Sequence, residues 1–238
     1  MKEKTIGILG GMGPEATLDC YSRIISSTPA KTDQEHLRVI IDSNPKVPDR
    51  TAAIIAAGQS PVPVLVAGCR ALQQAGADFI IIPCVSAHFF LDEIQQQIAL
   101  PILSIFDVVT ETIISDHPQI KTVGLMGTTG TINCGLFQKR LAVKGIETRV
   151  ADETQQSKVM EAIYDIKNSQ PARPRTQITS DLVAVADGLI SMGARGIIAG
   201  CTEIPLVLKQ EHLSVPYFDA LTILARAAIF KAGLTPIP

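Results

Sequence analysis

The stretch Thr5-Ile-Gly-Ile-Leu-Gly-Gly-Met-Gly13 decides the fold, because the chain repeats it as Thr122-Val-Gly-Leu-Met-Gly-Thr-Thr-Gly130. Each copy is a short β-branched run closed by a glycine-rich turn, the pattern of a buried strand feeding a helix. The two copies stand 117 residues apart. A second pair keeps the same offset. Ala75-Gly-Ala-Asp-Phe-Ile-Ile-Ile-Pro-Cys84 matches Met192-Gly-Ala-Arg-Gly-Ile-Ile-Ala-Gly-Cys201. Two independent motifs at one spacing are not a chance event. Pro101-Ile-Leu-Ser-Ile-Phe-Asp107 and Pro216-Tyr-Phe-Asp219 continue the match with some drift.

Outward from these repeats, apolar runs alternate with amphipathic stretches. Strands are predicted at 5–9, 37–42, 79–82, 102–104, 122–126, 196–199 and 215–218. Most lack polar alternation, as strands buried on both faces do. Helices are predicted at 15–26, 62–75, 87–97, 107–115, 132–144, 153–168, 176–192 and 220–231. The alternation implies an α/β fold of two pseudo-symmetric lobes, each a mainly parallel sheet flanked by helices. The lobes are expected at 1–107 and 108–214, with 215–238 a short strand and helix crossing back onto the first. Ser169–Arg175, with its two prolines, reads as a surface loop.

Composition narrows the function classes. The chain has 238 residues, 46% hydrophobic, enough apolar surface for a folded core of one domain or two small ones. A net charge of −2 leaves no basic excess to neutralise nucleic-acid phosphates. The most apolar stretch, Phe79–Leu91, is interrupted by Pro83, Ser86 and His88 and is too short for a membrane span. Met1-Lys2-Glu3-Lys4-Thr5 leads directly into a strand-like run, so no signal peptide is expected. Five cysteines, an odd number with no C-x-x-C, point to reduced thiols in the cytosol.

Two of those thiols occupy equivalent places. Cys84 and Cys201 each follow a strand and precede a helix-forming stretch, at the strand ends where parallel sheets bind ligands. A helix N-terminus there is expected to lower a thiol pKa. If the lobes face one another, the sulfurs flank one cleft. Inverting a carbon acid needs a base on one face and an acid on the other, and a thiolate and a thiol supply both. Cys20, Cys69 and Cys134, within or beside helices, are expected to be structural. Cys84-x-x-x-His88 offers two zinc ligands, and nothing nearby completes four.

The segments Gly7-Ile-Leu-Gly-Gly-Met-Gly-Pro-Glu-Ala-Thr17, Ser43-Asn-Pro-Lys-Val-Pro-Asp-Arg-Thr51, Pro83-Cys-Val-Ser-Ala-His88 and Gly200-Cys-Thr-Glu-Ile-Pro205 carry a family likeness. Over nearly its whole length the chain resembles the aspartate/glutamate racemases, the cofactor-independent amino-acid racemases. The resemblance implies that Cys84 and Cys201 are the acid/base pair. It implies that no pyridoxal phosphate, metal or nucleotide is needed, and that the enzyme is a homodimer racemising a small-molecule substrate, aspartate or glutamate; with the reduced thiols, a cytoplasmic setting is expected. By the same resemblance Arg50 holds a side-chain carboxylate and Lys167 contacts a substrate carboxylate. Ser86 and Thr202 offer donors to the α-carboxylate, or cap the turns that follow. Met12, Thr128 and Thr129 lie in turns expected to line the cleft, Glu203 and His88 are placed to orient a thiol, and Asp49 to brace Arg50. The family usually has Cys-Asn-Thr-Ala-His in the first lobe. Here Val85 replaces the asparagine, which removes an amide from the expected substrate-binding set and opens the question of the substrate.

Three rival readings remain, two from other classes and one from within the superfamily. Gly11-x-Gly13-x-x-Ala16, with Asp42 ending the next strand, fits a dinucleotide fingerprint and an NAD(P)-dependent oxidoreductase. Pro14 stiffens that turn, and the pattern recurs in the second lobe only as Gly127-Thr-Thr-Gly130. A two-lobed binding protein without turnover is the second. A decarboxylase or diacid isomerase of the same superfamily, using one cysteine as nucleophile, is the third.

Overall fold

A computed structural model describes residues 3–55 and 58–237. Met1 and Lys2, where the signal-peptide reading begins, lie outside the described residues. The strands are β1 (Ile6–Gly10), β2 (Val39–Ser43), β3 (Phe79–Ile81), β4 (Thr122–Met126), β5 (Glu147–Val150), β6 (Ile197–Ala199) and β7 (Tyr217–Asp219). The α-helices are α1 (Pro14–Ser27), α2 (Arg50–Ile55), α3 (Val62–Gln74), α4 (Leu91–Gln95), α5 (Ile105–Asp116), α6 (Thr129–Cys134), α7 (Leu136–Val143), α8 (Glu153–Lys167), α9 (Arg175–Ser191) and α10 (Ala220–Ala232).

The strands form two all-parallel sheets, ordered β2-β1-β3 and β5-β4-β6-β7. The repeat is visible in this order: β1 and β4 are central, and β3 and β6 stand beside them. In the first sheet a single parallel bridge, Ile80 to Ile102, takes the place that β7 fills in the second. The stretch predicted at 102–104 is therefore reduced to a bridge. All five residues of β1 are buried, as expected of a central strand with helices on both faces.

One hydrophobic cluster spans both lobes. It joins Ile6 and Ile8 of β1 to Leu125 of β4 through Phe106 of α5, Phe137 of α7 and Leu224 of α10. Two further clusters cover the outer face of each sheet. Helix α10 packs on α1 and α5, and Lys4 N–H donates to Ala232 O at 3.0 Å, so the last helix does reach the first lobe; the strand of the same expected segment, β7, instead pairs with β6 in the second sheet.

Several local readings are corrected. The predicted helix 132–144 is two helices, because Gly135 adopts φ +66° and ends the first. The sequence reading has no β5, whose Glu and Arg make it look like a loop; it is a half-exposed edge strand held by β4. The predicted helix 87–97 begins as a 3₁₀ turn at Ser86–Phe90 and becomes α-helical only at α4. Among the described residues no helix is long and apolar enough to cross a membrane.

Candidate active site

Sheet ends and helix ends converge on a cleft between the lobes. Its cavity of about 370 Å³ is lined by Met12 and Gly13 from the turn after β1, Arg50 from the start of α2, Lys167 from the end of α8, and Glu203 from the turn after β6. Gly11 holds φ +91°, and a Cβ there would fall 2.3 Å from the Asn44 backbone. Glycine at that position lets the turns after β1 and β2 close together. The Thr17 hydroxyl of α1 accepts from Gly11 N–H at 2.8 Å and donates to Gly13 O at 2.9 Å, fixing the same turn.

Arg50 opens α2, a helix absent from the predicted elements. Asp49 caps that helix by accepting from Ala52 N–H at 2.7 Å, so it braces the backbone of Arg50 rather than its guanidinium. Arg50 Nη1 donates to the carbonyls of Val47 and Pro48, at 3.1 and 3.0 Å. Its Nε is buried and makes no hydrogen bond among the described residues. A buried cationic donor with nothing to bond is costly, and an incoming carboxylate would satisfy it.

Lys167 reaches the cleft because α8 is long and firmly seated. Asp152 caps its start, accepting from Gln155 N–H at 2.8 Å. Val159, Ala162, Ile163 and Ile166 form its buried stripe at helical spacing. At the last turn Lys167 Nζ stands 3.4 Å from Glu203 Oε1, with its side chain 29% exposed. Burial pulls the ammonium pKa down, but Glu203 and the two cysteines Cys201 and Cys84 outweigh that and raise it.

Neither thiol lines that cavity: Cys84 is 4% and Cys201 5% exposed, and Cys201 meets the lining through Glu203. Cys201 Sγ donates to Glu203 Oε2 at 2.9 Å, and Cys84 Sγ is 3.5 Å from Ser86 Oγ. The Thr202 hydroxyl donates to Pro83 O at 3.1 Å, tying the two cysteine turns to each other across the lobes. The expected helix dipoles are absent from both sites. The thiols precede 3₁₀ turns, Ser86–Phe90 and Ile204–Leu206, rather than α-helices. At Cys201 the outcome is opposite to the expected lowering: burial first, then the Glu203 carboxylate, push its thiol well above the ordinary range.

Other predicted residues fall elsewhere. The Val85 side chain packs into the shared core with Ile105 and Phe106, not into the cleft. Thr128 caps α6 through Thr131 N–H at 3.1 Å, and Thr129 N–H points at Met160 Sδ. That turn packs α6 on α2 rather than lining the cavity. His88 does not touch a thiol. Its Nε2 donates to Ile82 O at 3.1 Å and its Nδ1 accepts from Ile105 N–H at 3.4 Å, so both ring nitrogens are used in the core and neither is free for a metal. Burial lowers its pKa to about 4. Cys20 and Cys69 are buried in α1 and α3, both pushed up to about 12 by burial.

Glu203 lies against a thiol, as expected, and its further contacts are what the sequence does not convey. Its carboxylate accepts from Gly13 N–H at 3.1 Å and from Cys201, and pairs with the Lys167 ammonium at 3.4 Å. The Gly13 amide caps the start of α1, where a dinucleotide phosphate would sit, and a carboxylate already occupies it. Asp42, the would-be ribose acid, lies folded against Gly68 of α3. The geometry of the glycine-rich turn thus serves the cleft rather than a nucleotide.

Comparison with known proteins gives the family and the fold. The family model described as Asp/Glu/Hydantoin racemase matches residues 9–228. The chain is 31% identical over 230 residues to the broad specificity amino-acid racemase RacX of Bacillus subtilis (strain 168), covering 94% of this chain and 96% of that one. The structure is similar to that of Picrophilus torridus aspartate racemase, with a TM-score of 0.87 and 28% identity over 98% of this chain and 96% of that one. Campylobacter jejuni glutamate racemase shares the fold at a TM-score of 0.66 and 17% identity, covering 97% and 86%.

Proposed function

The chain belongs to the Asp/Glu/hydantoin racemase family, and from that premise we propose that it interconverts the L and D forms of an acidic amino acid, aspartate or glutamate, with Cys84 and Cys201 as the acid/base pair. The observation that supports the reading is the joining of the two repeat-related cysteine turns by the Thr202–Pro83 bond, with Cys201 bonded to Glu203, which lines a cavity together with Arg50 and Lys167.

The chemistry follows from the groups present. A thiolate removes the α-proton from one face, and the thiol on the other face returns one. Arg50 Nε, buried and unbonded, takes the side-chain carboxylate; the Lys167 ammonium adds a second positive charge. Charge that builds on the α-carboxylate as the proton leaves is met by the Ser86 hydroxyl and by backbone N–H groups of the two turns, the Thr202 hydroxyl being held by Pro83 O. Each of these steps is performed by the chain's own residues. A homodimer and a cytoplasmic setting belong to the same reading.

The test is a panel of L- and D-amino acids in heavy water, followed through the α-hydrogen NMR signal. Aspartate or glutamate is expected to lose that signal while the opposite enantiomer appears. Exchange confined to neutral amino acids would overturn the substrate assignment. Absence of exchange for every amino acid would overturn the activity.

A further inference from the structure

The repeat sets residue against residue in the cysteine turns: Cys84 against Cys201, Val85 against Thr202, and Ser86 against Glu203, each pair 117 residues apart. Each lobe's third residue meets its own thiol, but with different chemistry. Ser86 Oγ, a hydroxyl that can donate or accept, is 3.5 Å from Cys84 Sγ. Glu203 Oε2 is 2.9 Å from Cys201 Sγ. The other groups around Glu203 are the Gly13 amide, the Thr202 hydroxyl at 3.4 Å and the Lys167 ammonium, all donors, so the carboxylate serves as an acceptor. Such a group holds an S–H and repels an S⁻.

We propose that Glu203 is a positioning residue that keeps the resting enzyme's proton on Cys201, so that turnover starts with Cys84 as base and the two directions of the reaction run with unequal kcat. The inference rests on the two-thiol reading above. In the starting direction the Cα–H bond breaks as the Cys84 S–H bond forms, and the electron pair stays on the substrate. Cys201 then gives its proton to the opposite face and becomes a thiolate beside Glu203. Two negative charges at that separation favour return of a solvent proton to Cys201, and Cys84 releases the abstracted proton to solvent; the two transfers together reset the enzyme. Burial and Glu203 raise the Cys201 thiol while Lys167, from α8, opposes them. Tyr217 of β7 also faces Cys201, and Lys167 feels Cys84 and Arg50 in addition. Because L and D forms are equally stable, kcat/KM is the same in both directions, and the asymmetry resides in kcat and KM separately.

The experiment is alkylation by iodoacetamide as a function of pH, quantified for each cysteine peptide by mass spectrometry. It is run on the wild type, on Glu203→Gln, and on Glu203→Ser, which copies the first lobe's turn. In the wild type Cys201 is expected to label only above the ordinary thiol range, and labelling at neutral pH would overturn the proposal even if neither variant folds. In the variants Cys201 is expected to label about tenfold faster at pH 8, a shift of about one pH unit, with Cys84 unmoved. An unchanged Cys201 profile, or a joint shift of both cysteines from general loosening, overturns the proposal. With L- and D-aspartate as probes, the ratio of the two kcat values is expected to move toward unity in the variants; a ratio that stays put also counts against it. A wild type that exchanges no amino acid refutes the activity, whereas the alkylation profiles still decide the role of Glu203.

Discussion

The turn after β3 and the turn after β6 occupy equivalent places in equivalent lobes, yet only the cysteine is common to both. Val85 faces the core where Thr202 bonds across to Pro83. Ser86 stands where Glu203 stands, and buried His88 stands where Pro205 does. The residues beside the cysteines differ in what they reach: Val85 stays in the shared core, whereas Thr202 and Glu203 cross to Pro83 and Gly13 of the first lobe. Pseudo-symmetry therefore extends to the two thiols and stops at the residues that hold them.

The strongest way to break this pairing is to remove one thiol at a time. Cys84→Ala and Cys201→Ala are each expected to lower racemisation by roughly 10²–10⁴-fold or more, the loss of a general acid or base. Each variant keeps one base, so each should retain α-hydrogen exchange for one enantiomer only, and the two variants should favour opposite enantiomers. Heavy-water NMR on both enantiomers reads this directly. Near-normal turnover in either variant would mean that the two positions are not a pair.

The His88 and Pro205 positions differ in a way that stability measurements detect. His88 is neutral in the fold with a pKa of about 4, against 6.5 for an ordinary imidazole. Above the upper value neither folded nor unfolded chain carries the proton. Between the two values the unfolded chain binds a proton that the folded one refuses, so stability falls as pH falls. The whole window is worth roughly 3 kcal/mol. Urea midpoints measured from pH 7 down to pH 4 should show this slope, and His88→Gln should flatten part of it. An unchanged slope in the variant would remove His88 as its source.

A smaller effect separates the two cations of the cleft. Arg50→Ala is expected to raise KM for aspartate by roughly 10- to 100-fold, the value of a charge-assisted hydrogen bond, and to leave neutral amino acids nearly unaffected. Steady-state kinetics on one acidic and one neutral substrate check it. An equal change on both would show that Arg50 shapes the cleft without reading the side chain.

Which parts of this were legible in the sequence has a physical pattern. Central strands β1 and β4 announce themselves because both faces are buried and the apolar run is unbroken. The edge strand β5 does not, since Glu147 and Arg149 face solvent and only its pairing with β4 makes it a strand. The cysteine pair was legible because a repeat offset is a property of the chain itself. The environment of each thiol was not. Whether Glu203 reaches Cys201, or His88 reaches Cys84, depends on side-chain directions that spacing does not encode. Val85 shows the reverse error: position in a motif suggested the cleft, and packing turned the side chain into the core.

The contacts that join the lobes give the smallest expected effect, and they differ by burial. Thr202 donates to Pro83 O inside the protein, whereas Arg175 of α9 meets Glu15 of α1 at 2.9 Å with side chains 60% and 50% exposed. Thr202→Val keeps the shape but strands a buried carbonyl, which costs about 1–3 kcal/mol. Glu15→Gln removes an ion pair that water already screens, worth about 0–1 kcal/mol. Urea denaturation should therefore rank Thr202→Val well below Glu15→Gln in stability, and added salt should close the gap between Glu15→Gln and the wild type without helping Thr202→Val. Equal losses in the two variants would mean that the lobes are held together by surface charge rather than by the paired cysteine turns.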